Sequence, residues 1–148
     1  MVTTVGTENS TADLITNLLH LEHDAIAAYE STIERLDDTG RRQHIEAFRQ
    51  DHLGHVARLE EFAARLGIEA PTGGDAKQML TTGKVALAGL GGDDAVLKAM
   101  KTNEDDTVQA YEQALENAEA TPDMEPVLAQ ALEDERRHRA WMDTAAAS

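Results

Sequence analysis

Residues 45–62 read Ile45-Glu46-Ala47-Phe48-Arg49-Gln50-Asp51-His52-Leu53-Gly54-His55-Val56-Ala57-Arg58-Leu59-Glu60-Glu61-Phe62. Within this stretch Ile45, Phe48, His52, His55, Leu59 and Phe62 recur at alternating spacings of 3 and 4, and Leu66 continues the series. Such a stripe lies along one side of an α-helix and turns toward a packing partner. Two histidines occupy the middle of this otherwise apolar seam, so the helix carries polar chemistry into its own core.

Three other segments show the same stepping. Toward the N-terminus it is Ile15, Leu18, Glu22, Ala25, Tyr29 and Leu36, with Ile26 and Ile33 beside them. Further on come Leu97, Met100, Glu104, Thr107, Tyr111 and Ala118, and last Leu128, Ala131, Glu135, His138, Met142 and Ala145. Each seam is interrupted near its centre by a carboxylate, and the last by a Glu-x-x-His pair. Residues three apart on a helix share a face, so that pair offers an oxygen and a nitrogen to one point.

Turn signals divide the chain into four long helices. Ser10 or Thr11 caps a helix reaching about Leu36, and Asp37-Asp38-Thr39-Gly40 ends it. A second helix runs from about Arg41 to Leu66 with Gly67 as its stop. Pro71 to Gly74 form a loop, and 75–90 read as a short irregular helix within a long crossover. Asp93 or Asp94 caps a third helix to about Ala118, and Thr121-Pro122 starts a fourth that continues to about Thr144. The expected fold is all-α: an antiparallel four-helix bundle of two helical hairpins joined by that crossover. Residues 1–9 are expected as a disordered tail, and 10–148 as a single domain.

Composition agrees and removes several functions. Aromatic residues are only 3%, so the core must come mainly from Ala, Leu, Val, Ile and Met, which favour helix. With 28 acidic against 13 basic residues the net charge is −15, which disfavours nucleic acid and anionic membrane as partners. The acid excess reads as a soluble surface, or as a field that attracts cations. Cysteine is absent, excluding disulfides and thiolate sites. No apolar run approaches the ~20 residues that span a bilayer, and Met1–Ser10 lacks a signal-peptide core, so a cytoplasmic protein is expected.

The two halves resemble each other. Glu22 to Tyr29 and Glu104 to Tyr111 share one spacing at an offset of 82, and Asp51-x-x-x-His55 repeats at an offset of 83 as Asp134-x-x-x-His138. A duplicated hairpin would give a centre with pseudo-twofold symmetry. A buried carboxylate is costly unless paired or coordinated, and several together repel; a divalent cation removes both penalties. Taken singly, each inward Glu or His is better explained by a buried ion pair or a misassigned heptad position. Together, Glu22, His52, His55, Glu104, Glu135 and His138 form a candidate metal-ligand set of oxygens and imidazoles, suited to iron or manganese with zinc as substitute. Tyr29, Tyr111 and Trp141 read as packing residues with a hydrogen-bonded tip. Asp51, His20, His23 and His44 are placed in solvent or behind the ligands.

These residues resemble the ferritin-like superfamily, whose signature is a Glu on two helices and a Glu-x-x-His on the other two. Glu22-His23-Asp24-Ala25-Ile26-Ala27-Ala28-Tyr29 is similar to the first helix of bacterioferritins, and Leu132 to Trp141 are similar to a fourth helix of that superfamily. The likeness spans roughly 11–146 and is closest to small stand-alone ferritin-like proteins of uncharacterised function. It implies Glu22, Glu104, Glu135, His55 and His138 as ligands of two iron ions reacting with oxygen or peroxide, as ferroxidase or peroxidase. The match fails at His52, where the superfamily has a bridging Glu. A monomer or small homo-oligomer such as a dimer is expected. The alternative is a non-catalytic stress or interaction protein with one structural metal or a vestigial site.

Overall fold

In a computed structural model, which describes residues 3–72 and 91–147, four helices account for most of the chain: α1 Thr11–Arg35, α2 Thr39–Arg65, α3 Asp93–Glu116 and α4 Glu125–Ala147. Their ends are set by local chemistry. The Ser10 hydroxyl accepts from the Asp13 amide (3.1 Å) and the Asp38 carboxylate from the Arg41 amide (2.8 Å), satisfying amides left open in a first turn. Gly67, at φ +69°, ends α2, with the Ile68 amide reaching back to the Ala63 carbonyl (2.9 Å). The α1–α2 turn is tied to the start of α3 because the Asp37 and Asp38 amides donate to Asp93.

Helix α4 starts three residues beyond the expected Thr121-Pro122. The Met124 and Glu125 amides instead bond the Thr121 and Pro122 carbonyls in a tight turn. Pro126, not Pro122, occupies the first helical turn, where a missing amide costs nothing. The short helix expected over 75–90 lies outside the described residues.

Cross-helix contacts fix the directions. Glu30 of α1 meets Arg49 of α2 (3.0 Å), while Glu22, earlier in α1, meets His55, later in α2 (3.1 Å). In the other hairpin Asp105 pairs with Arg139 and Glu112 with Arg136. Tyr29 bonds Glu104 while Tyr111 bonds Glu22, and His55 bonds Asp134 while His138 bonds Asp51. All four adjacent pairs are therefore antiparallel: α1 with α2, α3 with α4, α1 with α3, and α2 with α4. The pairs α1/α4 and α2/α3 lie across the diagonals.

The core falls into two apolar clusters. One gathers Leu14, Leu18, Leu59, Phe62, Leu128 and their neighbours; the other gathers Leu36, Ile45, Phe48, Leu97, Met100 and Met142. The polar seam positions lie between them. Leu66, assigned to the seam from spacing, is about half exposed because α2 has already ended at Arg65. Among the described residues no helix is long and apolar enough to cross a membrane.

Residues 3–9, expected as a disordered tail, run along α3. Side chains of α3 take the place of a second strand. Gln109 Oε1 accepts from the Thr3 amide, Gln113 donates to the Val5 carbonyl (2.7 Å), and Asn117 donates to the carbonyls of Gly6 and Glu8 (2.9 Å each). Gly6 makes this approach feasible: its φ is +99°, and a Cβ there would lie 2.4 Å from the Ala110 carbonyl oxygen. Gly6→Ala should therefore strip the segment from α3 and destabilise the protein by at least about 1 kcal/mol. Urea denaturation and faster amide exchange at residues 4–9 would report it; an unchanged midpoint and exchange rate would contradict this account.

Candidate metal centre

All six side chains singled out by the sequence meet in one layer of the core. Glu22, His52, Glu135 and His138 are fully buried, Glu104 is 1% exposed and His55 2%. Their placement follows from register: the stripe residue at the middle of each helix reaches the same level because adjacent helices are antiparallel and matched in length. The layer contains two groups whose donor atoms lie within 4.8 Å of one another, Glu22–His52–His55–Glu135 and His52–Glu104–Glu135–His138. His52 and Glu135 belong to both.

Most of these atoms are held from behind. His52 Nδ1 is 2.7 Å and His55 Nδ1 is 3.1 Å from the two oxygens of Glu22, and the Tyr111 hydroxyl donates to Glu22 at 2.5 Å. Glu104 accepts from the Tyr29 hydroxyl and from Thr107 (2.9 Å). On the outer side, His55 Nε2 is 2.8 Å from Asp134 and His138 Nε2 is 2.8 Å from Asp51, with Arg137 bonding both aspartates. A carboxylate behind an imidazole fixes the ring and its tautomer and raises the basicity of the inward nitrogen.

Three atoms break this pattern. His52 Nε2 and both oxygens of Glu135 are buried without a hydrogen-bond partner. Each such group costs about 1–3 kcal/mol if nothing satisfies it. His52 Nε2 and His55 Nδ1 are each 3.5 Å from Glu135 Oε1, and His138 Nδ1 is 3.9 Å from it. A divalent cation accepts lone pairs from nitrogen and oxygen alike, so the residues present fit one.

The charges respond to this crowding. Burial pushes the Glu135 carboxyl well up, and the neighbouring Glu104 and Glu22 charges add to the rise. Burial acts the same way on Glu22, but His52 and His55 outweigh it and hold that carboxyl far below its usual range. His52 and His55 are in turn pulled up against the effect of burial, by Glu135 and Glu22 for His52, and chiefly by Glu22 for His55, which reaches about 9. All three shifts favour a proton on Glu135, His52 and His55.

Three features were not legible at their positions. Asp134 was not singled out, although the repeat of Asp51-x-x-x-His55 at 134–138 carried the signal. Asp51, left between solvent and the ligands, backs His138 across the α2–α4 interface. Thr107 marks a helix-internal bond to Glu104 that spacing alone does not announce. Of the three remaining histidines, His44 stacks on Trp141 (centroids 4.7 Å), His23 bonds the Pro71 carbonyl (3.1 Å), and His20 Nδ1 is buried without a hydrogen-bond partner.

A family model described as Domain of unknown function (DUF2383) matches residues 10–117. The chain belongs to that family. The matched segment takes in α1, α2 and α3 and stops before α4, which contributes Asp134, Glu135 and His138. No curated protein and no solved structure matches the chain.

The His55–Asp134 pair sets a pH window for the metal-free protein. Hydrogen bonds from His55, Arg137 and Gln130 overcome burial and lower Asp134 from 3.8 to about 2, so its contribution is complete above about pH 4 and is lost as pH falls through about 2. His55 is raised from 6.5 to about 9, so its contribution is complete below about pH 6.5 and is lost as pH rises through about 9. Asp134→Asn should lower stability most between those limits and least at either extreme. Denaturation midpoints measured from pH 2 to 10 check this; a pH-independent difference would refute it.

Proposed function

We propose that this protein is a metal-binding four-helix bundle with a dinuclear carboxylate–histidine centre. Iron is the preferred metal, manganese or zinc the substitutes, and the chemistry is that of a ferroxidase or peroxidase acting with oxygen or peroxide. The observation that carries the reading is the pair of overlapping donor groups, sharing a Glu135 whose two buried oxygens have no hydrogen-bond partner. A carboxylate is the ligand type that can serve two cations at once. Likeness to the ferritin-like superfamily supplies the choice of iron and of oxygen chemistry.

Bound iron would supply the electrons for reducing oxygen or peroxide. The chain's own part is positional. Glu22, Glu104 and Glu135 balance the charge of the cations; Asp51 and Asp134 aim the imidazoles of His138 and His55. Tyr29 and Tyr111 tie each hairpin's glutamate to the other hairpin, and the two apolar clusters keep bulk water from the layer.

A second reading has one observation behind it. The 2.7 Å contact of His52 with Glu22 gives the layer an internal positive partner where the superfamily has a carboxylate, so the bundle can be neutral without metal. That suits a non-catalytic protein with one structural ion or a vestigial site.

Anaerobic loading with ferrous iron, followed by air, separates the two. Two irons per chain with oxygen uptake support the enzyme; a single tightly held zinc with no uptake supports the second reading. Glu135→Ala should abolish tight binding, and unchanged affinity would rule out this centre. Because cations must displace protons from His52, His55 and Glu135, affinity should rise with pH across the neutral range, with buffer-dependent heats that reveal proton release.

A further inference from the structure

The two residues shared by both donor groups differ in what they can share. Glu135 offers two oxygens, both free of hydrogen bonds, and can face two cations. A neutral imidazole has one lone pair; its other nitrogen carries a proton and donates. In His52 geometry decides which is which. Nδ1 lies 2.7 Å from Glu22 Oε2, where a carboxylate awaits a donor. Nε2 has no hydrogen-bond partner and faces Glu135 Oε1 at 3.5 Å and Glu104 Oε1 at 3.9 Å.

We infer that the two subsites are inequivalent: His52 gives its only lone pair, on Nε2, to the subsite of Glu104, Glu135 and His138, and its Nδ1–H stays on Glu22, leaving the other subsite with Glu22, His55 and Glu135 alone. This inference rests on the dinuclear reading. It assigns an order. The four-donor subsite fills first and holds its ion more tightly. The three-donor subsite fills second, because it has fewer protein donors and one Glu22 oxygen is already engaged by His52. A glutamate at 52 would have two oxygens to share and would make the halves alike; the histidine makes them unlike.

The test uses the full chain, stripped with chelator and titrated with Co²⁺ by calorimetry and visible absorption, with helical circular dichroism confirming the fold of each variant. Wild type should show two resolved steps. His55→Gln and Glu22→Gln should remove the weaker step and spare the tighter, whereas His138→Gln and Glu104→Gln should remove the tighter. Should any of these fail to fold, the positioning variants answer the same question: Asp51→Asn should weaken only the tight step and Asp134→Asn only the weak one, by roughly tenfold or more. His52→Glu should bring the two affinities together. If His55→Gln or Asp134→Asn weakens the tight step, or His138→Gln or Asp51→Asn leaves it intact, the assignment of His52 is wrong while the dinuclear reading stands. If wild type takes up no more than one Co²⁺, the dinuclear reading falls and the inference falls with it.

Discussion

Three glutamates and three histidines are shut into a single layer of the bundle, and their mutual electrostatics govern everything around them. A cluster of this kind is stable only if each charge has an opposite neighbour or a cation. The protein meets that condition by giving nearly every donor atom a partner on a different helix. Glu22 on α1 is held from α2 and α3, His55 on α2 from α1 and α4, and His138 on α4 from α2. The layer therefore joins the four helices as well as containing the chemistry. Two apolar clusters above and below seal it, so the polar groups act in a medium where their interactions are strong and poorly screened.

Near-twofold symmetry organises the layer and a single residue breaks it. Tyr29–Glu104 mirrors Tyr111–Glu22, and His138–Asp51 mirrors His55–Asp134. Each of these pairs crosses from one hairpin to the other, so the halves interlock instead of lying side by side. His52 stands opposite Glu135, and the exchange of a carboxylate for an imidazole changes both the charge and the number of donors. The same exchange gives Glu22 an internal positive partner and makes the two donor groups unlike.

Helix positions and the inward face were readable because apolar spacing of 3 and 4 is a local property of the chain. That Glu22, His52, His55, Glu104, Glu135 and His138 lie inside follows from that spacing, and the structure buries all six. Where spacing was the whole basis, its limits show. Leu66 continues the stripe of α2 but is half exposed, since the helix stops at Arg65. The start of α4 lies beyond Thr121-Pro122 because the chain first makes a tight turn at 121–124. The N-terminal segment carries no periodicity of its own; its order comes from Gln109, Gln113 and Asn117 on a helix a hundred residues away in sequence.

The sequence by itself determined an all-α chain, four helices, their buried faces and the chemical types gathered on those faces, because each of these depends on residues within a few turns of one another. It also carried the duplication, from which the Asp134 partnership could have been inferred. Only the tertiary structure decided which atom of each side chain faces the centre, since that depends on partners contributed by other helices. Asp51 turns the His138 ring, Asp134 turns the His55 ring, and Glu22 claims one nitrogen of His52. The other nitrogen of His52 faces Glu135 Oε1, and both Glu135 oxygens are left without a hydrogen bond, a fact about relative helix placement that no local pattern contains.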